Sequence, residues 1–493
     1  MALTKWQPPV LRHSVDDEGQ VVWLELYFDL IYVAALIQLG DQLAGDVTFT
    51  GVFRFAAVFV VLWWTWTGTT AFMNRFAVDD VWHRLLVFVQ MAAVGNLALV
   101  AVSPIEDRSM WMVVAYVAAR IPLVVMYHRV RHEPASNRLT NFYGRIFIIG
   151  GAIWLASLAV PTPYRYGMWA FALAVEFAAP LVATRKMPGV TAHEEHFRER
   201  YALFTIIVLG ESFVKTLTEL ADIGVSIETQ LLGGMLFAIG IALWWTYFDD
   251  VADSTIRPGG SRRLLTWVYA HLPLAAALTA LGVAGKKVIA VDGLGADIKD
   301  SYLWLLVGAI AVSLLATALL DSVTVSPHFA VSMRLRVVPR VVAAVLVLLV
   351  PVVLADGAAW AVVAVVAVIT IGQIAVELVV ATKAEHRIER EVAEHLTALS
   401  GACPRLEEAG PVEPTSHNCP VCEAKGAVPV ELRVCLECGA VGCCDDTPGR
   451  HARAHFEETG HTLIASLQPG ATWAYCYHHD AVKEDWRTSA GAG

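Results

Sequence analysis

The sequence predicts an all-α polytopic membrane protein, about 12 transmembrane helices in two parallel six-helix repeats, with a small α+β domain at its C-terminus. Three observations predict it. The 493 residues are 56% hydrophobic and 17% charged, whereas soluble domains carry about 25% charge. Apolar runs recur along most of the chain, and each is long enough for a bilayer, which needs about 20 apolar residues. All eight cysteines fall beyond residue 400.

The spans begin near residues 21, 51, 83, 109, 143, 165, 201, 230, 264, 301, 337 and 358, and the last ends near Val380. The opening "MALTKWQPPVLRHSVDDEGQ" has no apolar core and reads as a polar tail over 1–20. The expected organisation is then a first membrane repeat at 21–200, a second at 201–383, a charged helix and linker at 384–402, a small domain at 403–480 and a tail at 481–493. Loop charge predicts orientation. Twenty-one Lys and Arg fall on one face, among them Arg75, Arg129, Arg200 and Arg340, against six on the other. The positive-inside rule therefore expects a cell-membrane protein with both termini in the cytoplasm. Of the net charge of −10, −8 lies from Ala384 onward (17 acidic, 9 basic residues), which disfavours nucleic acid as a partner.

The membrane part repeats. "FDLIYVAALIQLGDQL" precedes "VLWWTWTG" and "HRLLVFV", while "LGESFVKTLTELADIG" precedes "IALWWTYFD" and "RRLLTWV". Asp29 lies 34 residues before Trp63, and Glu211 lies 33 before Trp244. "AVEFAAPLVATRK" and "AVELVVATK" pair Glu176 with Glu377 in the sixth and twelfth spans. Six spans per unit is even, so both units enter in the same orientation, as in transporters built from parallel repeats.

Five acids lie in or near these apolar runs: Glu25, Asp29, Glu176, Glu211 and Glu377. An Asp at a span centre costs about 2.5 to 3.5 kcal/mol to insert, so such groups face the bundle interior or a wet cavity. Glu25 and Asp29 are four residues apart, on one helical face with Tyr32. Candidate counter-charges are Arg120, Lys215 and Arg75, and Gln38, Gln90, Asn96, His271 and Gln373 are candidate polar lining. The other reading is that these groups tie helices together, or, for Glu25, sit at the interface. The Trp63–Trp64 and Trp244–Trp245 pairs read as packing or interface residues.

"ELYFDLIYVAALIQL", "WWTWTGTTAFMNRF", "RYALFTIIVLGES" and "LWWTYFD" make roughly residues 12–383 resemble the bacterial low temperature requirement protein A family. The resemblance implies a multi-span membrane protein and names no activity.

In the tail, "KAEHRIEREVAEHLTAL" reads as a charged helix and "SGACPRLEEAGPVEPTSHN" as a linker. "CPVC", "CLEC" and the histidines of "HARAHFEETGH" are zinc-ligand chemistry, since stable disulfides are disfavoured in cytoplasm. In so small a domain the metal would supply the folding energy. "CPVC…VCLECGAVGCC…GRHARAHFEETGHTL…WAYCYHHD" resembles the ubiquitin-specific-protease type (UBP) zinc finger. That resemblance implies one zinc on Cys419, Cys422, Cys443 and His451, with Cys444 an alternative to Cys443, and a second on Cys435, Cys438, His455 and His461. A third site in some members corresponds to Cys403, Arg405, Cys476 and His479, with Arg405 where a histidine is usual. Eukaryotic members bind the free Gly-Gly tail of ubiquitin through an Arg after a "CG" pair and an aromatic wall. Here Cys444, Asp445 and Asp446 stand after Cys443, so ubiquitin is not the expected partner. Trp473, Tyr475 and Tyr477 are left as a candidate wall for another peptide.

No nucleophile elbow, phosphate-binding loop or HExxH is present, so soluble-type hydrolase or kinase chemistry is not expected and the chain is not read as an enzyme, with an intramembrane enzyme using the paired acids as a third alternative. Two functions come before it. One is a proton- or cation-coupled transporter of an ion or small molecule that uses the buried carboxylates. The other is a membrane sensor or scaffold whose finger binds a protein or peptide.

Overall fold

The computed structural model describes residues 10–11, 23–78, 80–101, 105–131, 137–186, 194–224, 226–252, 254–257, 261–291, 295, 297–325, 333–354, 357–398, 403–484 and 486. They form two bodies, Met1–Ala381 and Thr382–Gly493. Apart from Val10 and Leu11, the expected N-terminal tail lies outside the described residues.

Among the described residues twelve helices are long and apolar enough to cross a bilayer. The first set is α1 (Trp23–Gly45), α2 (Phe49–Arg75), α3 (Val81–Ala101), α4 (Ile105–Arg129), α5 (Asn137–Ala156) and α6 (Tyr164–Lys186). The second is α7 (Glu194–Ile223), α8 (Ile227–Tyr247), α9 (Ser261–Ile289), α10 (Asp300–Ser322), α11 (Met333–Val353) and α12 (Ala359–Ala398). Among the described residues side-chain caps start at least three of them, the Asp80 carboxylate accepting the His83 N–H at 2.7 Å at α3. The Thr48 hydroxyl accepts the Gly51 N–H at 3.1 Å at α2, and Ser226 and Thr229 cap each other reciprocally at α8.

A packing order recurs. Helix α1 lies on α3, α3 on α4 and α4 on α5, just as α7 lies on α9, α9 on α10 and α10 on α11. Helices α1 and α7 also touch each other. Their side-chain contacts ascend together, Glu25 to His196, Asp29 to Arg200 and Asp41 to Lys215, so the two helices run parallel.

Two boundaries differ from the sequence reading. Helix α7 begins at Glu194, not near 201, because its charged first turns are neutralised against α1. Helix α12 is continuous over 40 residues, so its apolar span passes unbroken into the charged stretch. Short antiparallel strands close two loops: β1 (Val10–Leu11) pairs with β2 (Phe76–Ala77), and β3 (Thr255–Ile256) with β4 (Thr324–Val325).

The C-terminal body holds α13 (Pro404–Glu408), α14 (Pro420–Ala424) and α15 (His451–Thr459). With them is an antiparallel sheet of β5 (Leu432–Cys435), β6 (Val441–Cys443), β7 (Leu463–Ser466), β8 (Ala474–Cys476) and β9 (Ala481–Lys483), in the order β6-β5-β7-β8-β9. Val434, Leu463, Ala465, Ala474 and Trp486 form its small core. Strand β9 and Trp486 carry the domain past residue 480, where the sequence reading ended it.

Candidate functional site

The acids of α1 are buried between helices. Glu25 and Asp29 face Arg200 and His196 of α7. Arg200 Nη2 lies 2.6 Å from Asp29 Oδ1 and Nη1 lies 3.1 Å from Glu25 Oε2, so one guanidinium holds both carboxylates. His196 Nε2 lies 3.0 Å from Glu25, its Nδ1 is 3.3 Å from Asn74 Nδ2, and the Trp66 indole donates to Asp29 at 2.7 Å. Asp29, His196 and Arg200 are fully buried. Charges taken out of water are tolerated only when paired and hydrogen-bonded in this way.

Glu176 of α6 occupies a second cluster. Arg120 Nη2 donates to it at 2.7 Å, the Tyr116 hydroxyl at 3.0 Å and the Trp64 indole at 2.9 Å. The Arg120 guanidinium also lies over the Tyr116 and Phe147 rings, at 5.2 and 5.0 Å from their centroids. The glycine at 150 makes the fit possible, since a Cβ there would stand 2.2 Å from Glu176 Oε1. Tyr32 lies between the clusters, in electrostatic contact with both Asp29 and Arg120 and beside Thr65 and Gln90. Among the described residues its buried hydroxyl and Asp29 Oδ2 close no hydrogen bond.

The second set treats its acids differently. Glu377 receives Arg340 at 2.9 and 3.3 Å, and Asp321 lies 3.0 Å from Arg336. Glu211 is half-buried, and Lys215, a turn away, gives its amine to Asp41 at 2.5 Å and to the Ile37 carbonyl at 3.2 Å. A site shared by Asp29 and Glu211 is therefore not what forms. Asp29 meets Arg200, and Glu211 lies 11 residues further along α7, about 16 Å at 1.5 Å per residue. Of the expected polar lining, Gln90, His271 and Gln373 are buried, bonded to Thr69, Tyr247 and Thr246. Gln38 and Asn96 point outward.

Arg120, expected as a counter-charge, does pair with Glu176, but the partners of Glu25, Asp29 and Glu377 were missed. Arg200 and Arg340 counted as loop charges, yet both are fully buried. The signal was present in the "HFRER" stretch, where His196 and Arg200 have the same four-residue spacing as Glu25 and Asp29. Trp64 and Trp66 serve as N–H donors to two carboxylates rather than as packing alone.

In the C-terminal body the thiols and imidazoles gather into three clusters: Cys419, Cys422, Cys443 and His451; Cys435, Cys438, His455 and His461; and Cys403, Cys476 and His479. His451 Nδ1 lies 3.3 Å from the Cys419 and Cys422 sulfurs and 3.2 Å from that of Cys443. Zinc bonds of about 2.0 to 2.3 Å in a tetrahedron imply ligand separations of about 3.3 to 3.8 Å, so the donor set fits that ion. Burial, reinforced by the neighbouring Cys419 and Cys443 sulfurs, pushes the Cys422 thiol up to about 12. Burial beside Cys438 pushes Cys435 up to about 11. Burial opposes ionisation of Cys419 too, but hydrogen bonds from the Cys422, Cys443 and Val421 backbone outweigh it and draw that thiol down, and a cation among the sulfurs would stabilise the remaining thiolates. Cys444 turns away to Thr447 at 3.6 Å, which leaves Cys443 as the candidate ligand. Gly439 allows the turn after "CLEC", with φ of 78° and Glu413 O only 2.5 Å from where a Cβ would stand.

Arg405 stays outside the third cluster, donating to Glu437 at 2.9 Å and Thr462 at 3.0 Å. Burial opposes ionisation of Glu437, but the N–H groups of Thr462 and Leu463 and the Arg405 charge outweigh it and hold its carboxyl below the usual range. The expected aromatic wall is divided. Trp473 lies under the Arg433 guanidinium at 4.7 Å, while Tyr475 and Tyr477 meet edge to face at 5.2 Å.

A family model for the bacterial low temperature requirement A protein matches residues 20–374. The chain belongs to that family. A second model, the zinc finger in ubiquitin-hydrolases and other proteins, matches residues 419–486. This low temperature requirement A chain is 29% identical over 294 residues to the uncharacterized protein RA0937 of Rhizobium meliloti (strain 1021), covering 55% of this chain and 71% of that one. Its finger region is 26% identical over 93 residues to ubiquitin carboxyl-terminal hydrolase 45 of Mus musculus, covering 18% of this chain and a tenth of the hydrolase. The solution NMR structure of protein RPA1320 from Rhodopseudomonas palustris is 35% identical, with a TM-score of 0.18, over 19% of this chain and 93% of that one.

Proposed function

We propose that the membrane body is a proton-coupled transporter and not an enzyme. The observation that carries this reading is the buried network that joins α1 to α7, with Arg200 shared between Glu25 and Asp29. Apolar residues of equal volume often stabilise a protein as well as a buried ion pair does. Ionic contacts at the junction of two helix sets therefore fit a junction that opens. Tyr32, between Asp29 and the Arg120–Glu176 pair, supplies a hydroxyl along a route for the proton. The loop charges orient both ends of the chain to the cytoplasm. Proteoliposomes loaded with a pH-sensitive dye test the reading. Proton flux is expected under an imposed gradient, and flux unchanged by Asp29→Asn and by Glu176→Gln would count against it.

The finger reads as a cytoplasmic partner-binding module holding two four-ligand zinc ions, with Cys403, Cys476 and His479 a weaker three-ligand site. Elemental analysis of the purified chain should find at least two zinc per chain. Cys443→Ser should lower that number by one and Cys444→Ser should leave it unchanged. Zinc absent from the intact protein would refute the assignment. The sensor or scaffold reading draws on the continuity of α12 from its apolar span to Ala398. A partner retained by the full chain and lost from Cys435→Ser would favour it.

A further inference from the structure

A cleft of about 70 Å³ opens where α2, α4 and α6 end and α5, α7 and α9 begin. At about 30 Å³ for each water in the bulk liquid, that is room for roughly two waters and not for an organic ring. No Asp or Glu is among the described residues that line it. What it holds instead is a set of unspent hydrogen-bond donors. Arg75 forms no ion pair among the described residues. Its Nη1 caps the Ala71 carbonyl of its own helix at 3.0 Å, while Nε and Nη2 have no partner there. The guanidinium lies 5.9 Å from the Tyr143 ring centroid, and the Tyr143 ring stacks at 5.7 Å on that of Tyr127. Both tyrosines line the cleft. They are only 6% and 2% exposed, yet neither hydroxyl forms a hydrogen bond among the described residues, and neither oxygen is sealed off from the cleft. Buried polar groups without a partner call for an explanation. Here two of them stand beside a cation that also lacks one.

We propose that this cleft binds one small monovalent inorganic anion, of the size of chloride or nitrate. The donors select the sign of the charge. A tyrosine hydroxyl can give or accept a hydrogen bond, but a guanidinium can only give one, and it needs negative charge to offset its own. Charge-assisted hydrogen bonds from the Arg75 N–H and the two O–H groups would hold such an ion on one side. The opposite walls select its valence. Leu264, Leu265 and Val268 are apolar, and one guanidinium balances one charge, so a dianion would bring a second charge into dry surroundings with nothing to pair it. Volume excludes larger organic anions. The site does not rest on the proton-coupled reading of the membrane body.

Equilibrium dialysis of radiolabelled chloride against the purified full chain, in nanodiscs of zwitterionic lipid with gluconate balancing the ionic strength, tests the site. Saturable binding of about one chloride per chain is expected. Nitrate should displace it, whereas gluconate and sulfate at the same concentration should not. Arg75→Gln should weaken binding tenfold or more, and Arg75→Lys, which keeps the charge, should weaken it less. Tyr127→Phe and Tyr143→Phe each keep the ring and remove one donor, and each should weaken binding about tenfold, as for a lost hydrogen bond to a charged group. If Arg75→Gln does not fold, the double Tyr→Phe variant decides, since it alters neither charge nor packing. Absence of saturable chloride binding overturns the proposal. So does displacement by gluconate or sulfate as effective as that by nitrate, or full affinity in Arg75→Gln or in the double variant.

Discussion

The two helix sets carry matching motifs in unlike surroundings. In the first, the paired tryptophans are buried and Trp64 bonds Glu176, while Trp66 bonds Asp29. In the second, Trp244 and Trp245 are each 41% exposed on the outside of the bundle, and Glu211 is half-buried with its neighbouring lysine committed to Asp41. The difference teaches that a repeat can keep residue types without keeping their work. A carboxylate matters for chemistry only where other helices bring it a cation and a dry N–H donor; α4 and α2 of the first set bring both to Glu176, while Asp29 takes its N–H donor from Trp66 of α2 and its cation from Arg200 of the second set.

Substitutions can break that contrast. The largest effect is expected from Arg200→Met, which leaves two buried carboxylates without their cation and should cost about 3–5 kcal/mol of stability. Thermal melting of the protein in detergent measures it, and a loss under 1 kcal/mol would show that the network is wet. Next comes Trp64→Phe, which removes a hydrogen bond to a charged group and should cost about 1.5–3 kcal/mol, while Trp245→Phe stays within about 0.5 kcal/mol. Equal losses at the two positions would erase the distinction between the sets. Gly150→Ala pushes a methyl group onto Glu176 and should cost about 1–3 kcal/mol by overpacking. Glu211→Gln should change the melting temperature least, within about 0.5 kcal/mol, because no hydrogen bond of the described residues depends on it. A large loss there would add Glu211 to the Arg340–Glu377 and Arg336–Asp321 pairs as a polar site of the second set.

Much of this was readable before any coordinates. The membrane class followed from apolar runs, the zinc-ligand chemistry from cysteine and histidine spacing with its division into clusters implied by the resemblance to the UBP finger, and the shared face of Glu25 and Asp29 from helical periodicity. Arg120 was readable as a counter-charge; the partners on α7 were not, for a definite reason. The first turns of α7, "EEHFRERY", are charged, and hydropathy cannot tell charge facing water from charge neutralised by a helix about 170 residues away. The level of Glu211 was misjudged because motif alignment matches residues by order, whereas α7 starts about three turns earlier than that alignment assumes. In the finger, Cys443 and Cys444 were equivalent by spacing, and only the direction of the chain leaving β6 separated them.

The ladder between α1 and α7 has rungs four residues apart on both rails. A slide of one helical turn, about 5.4 Å, would bring Phe204 against Asp29 or Val33 against Arg200, since the next positions on both rails are apolar. Arg200 grips two teeth at once and has no further notch to move to, so the joint has the action of a latch with a single catch.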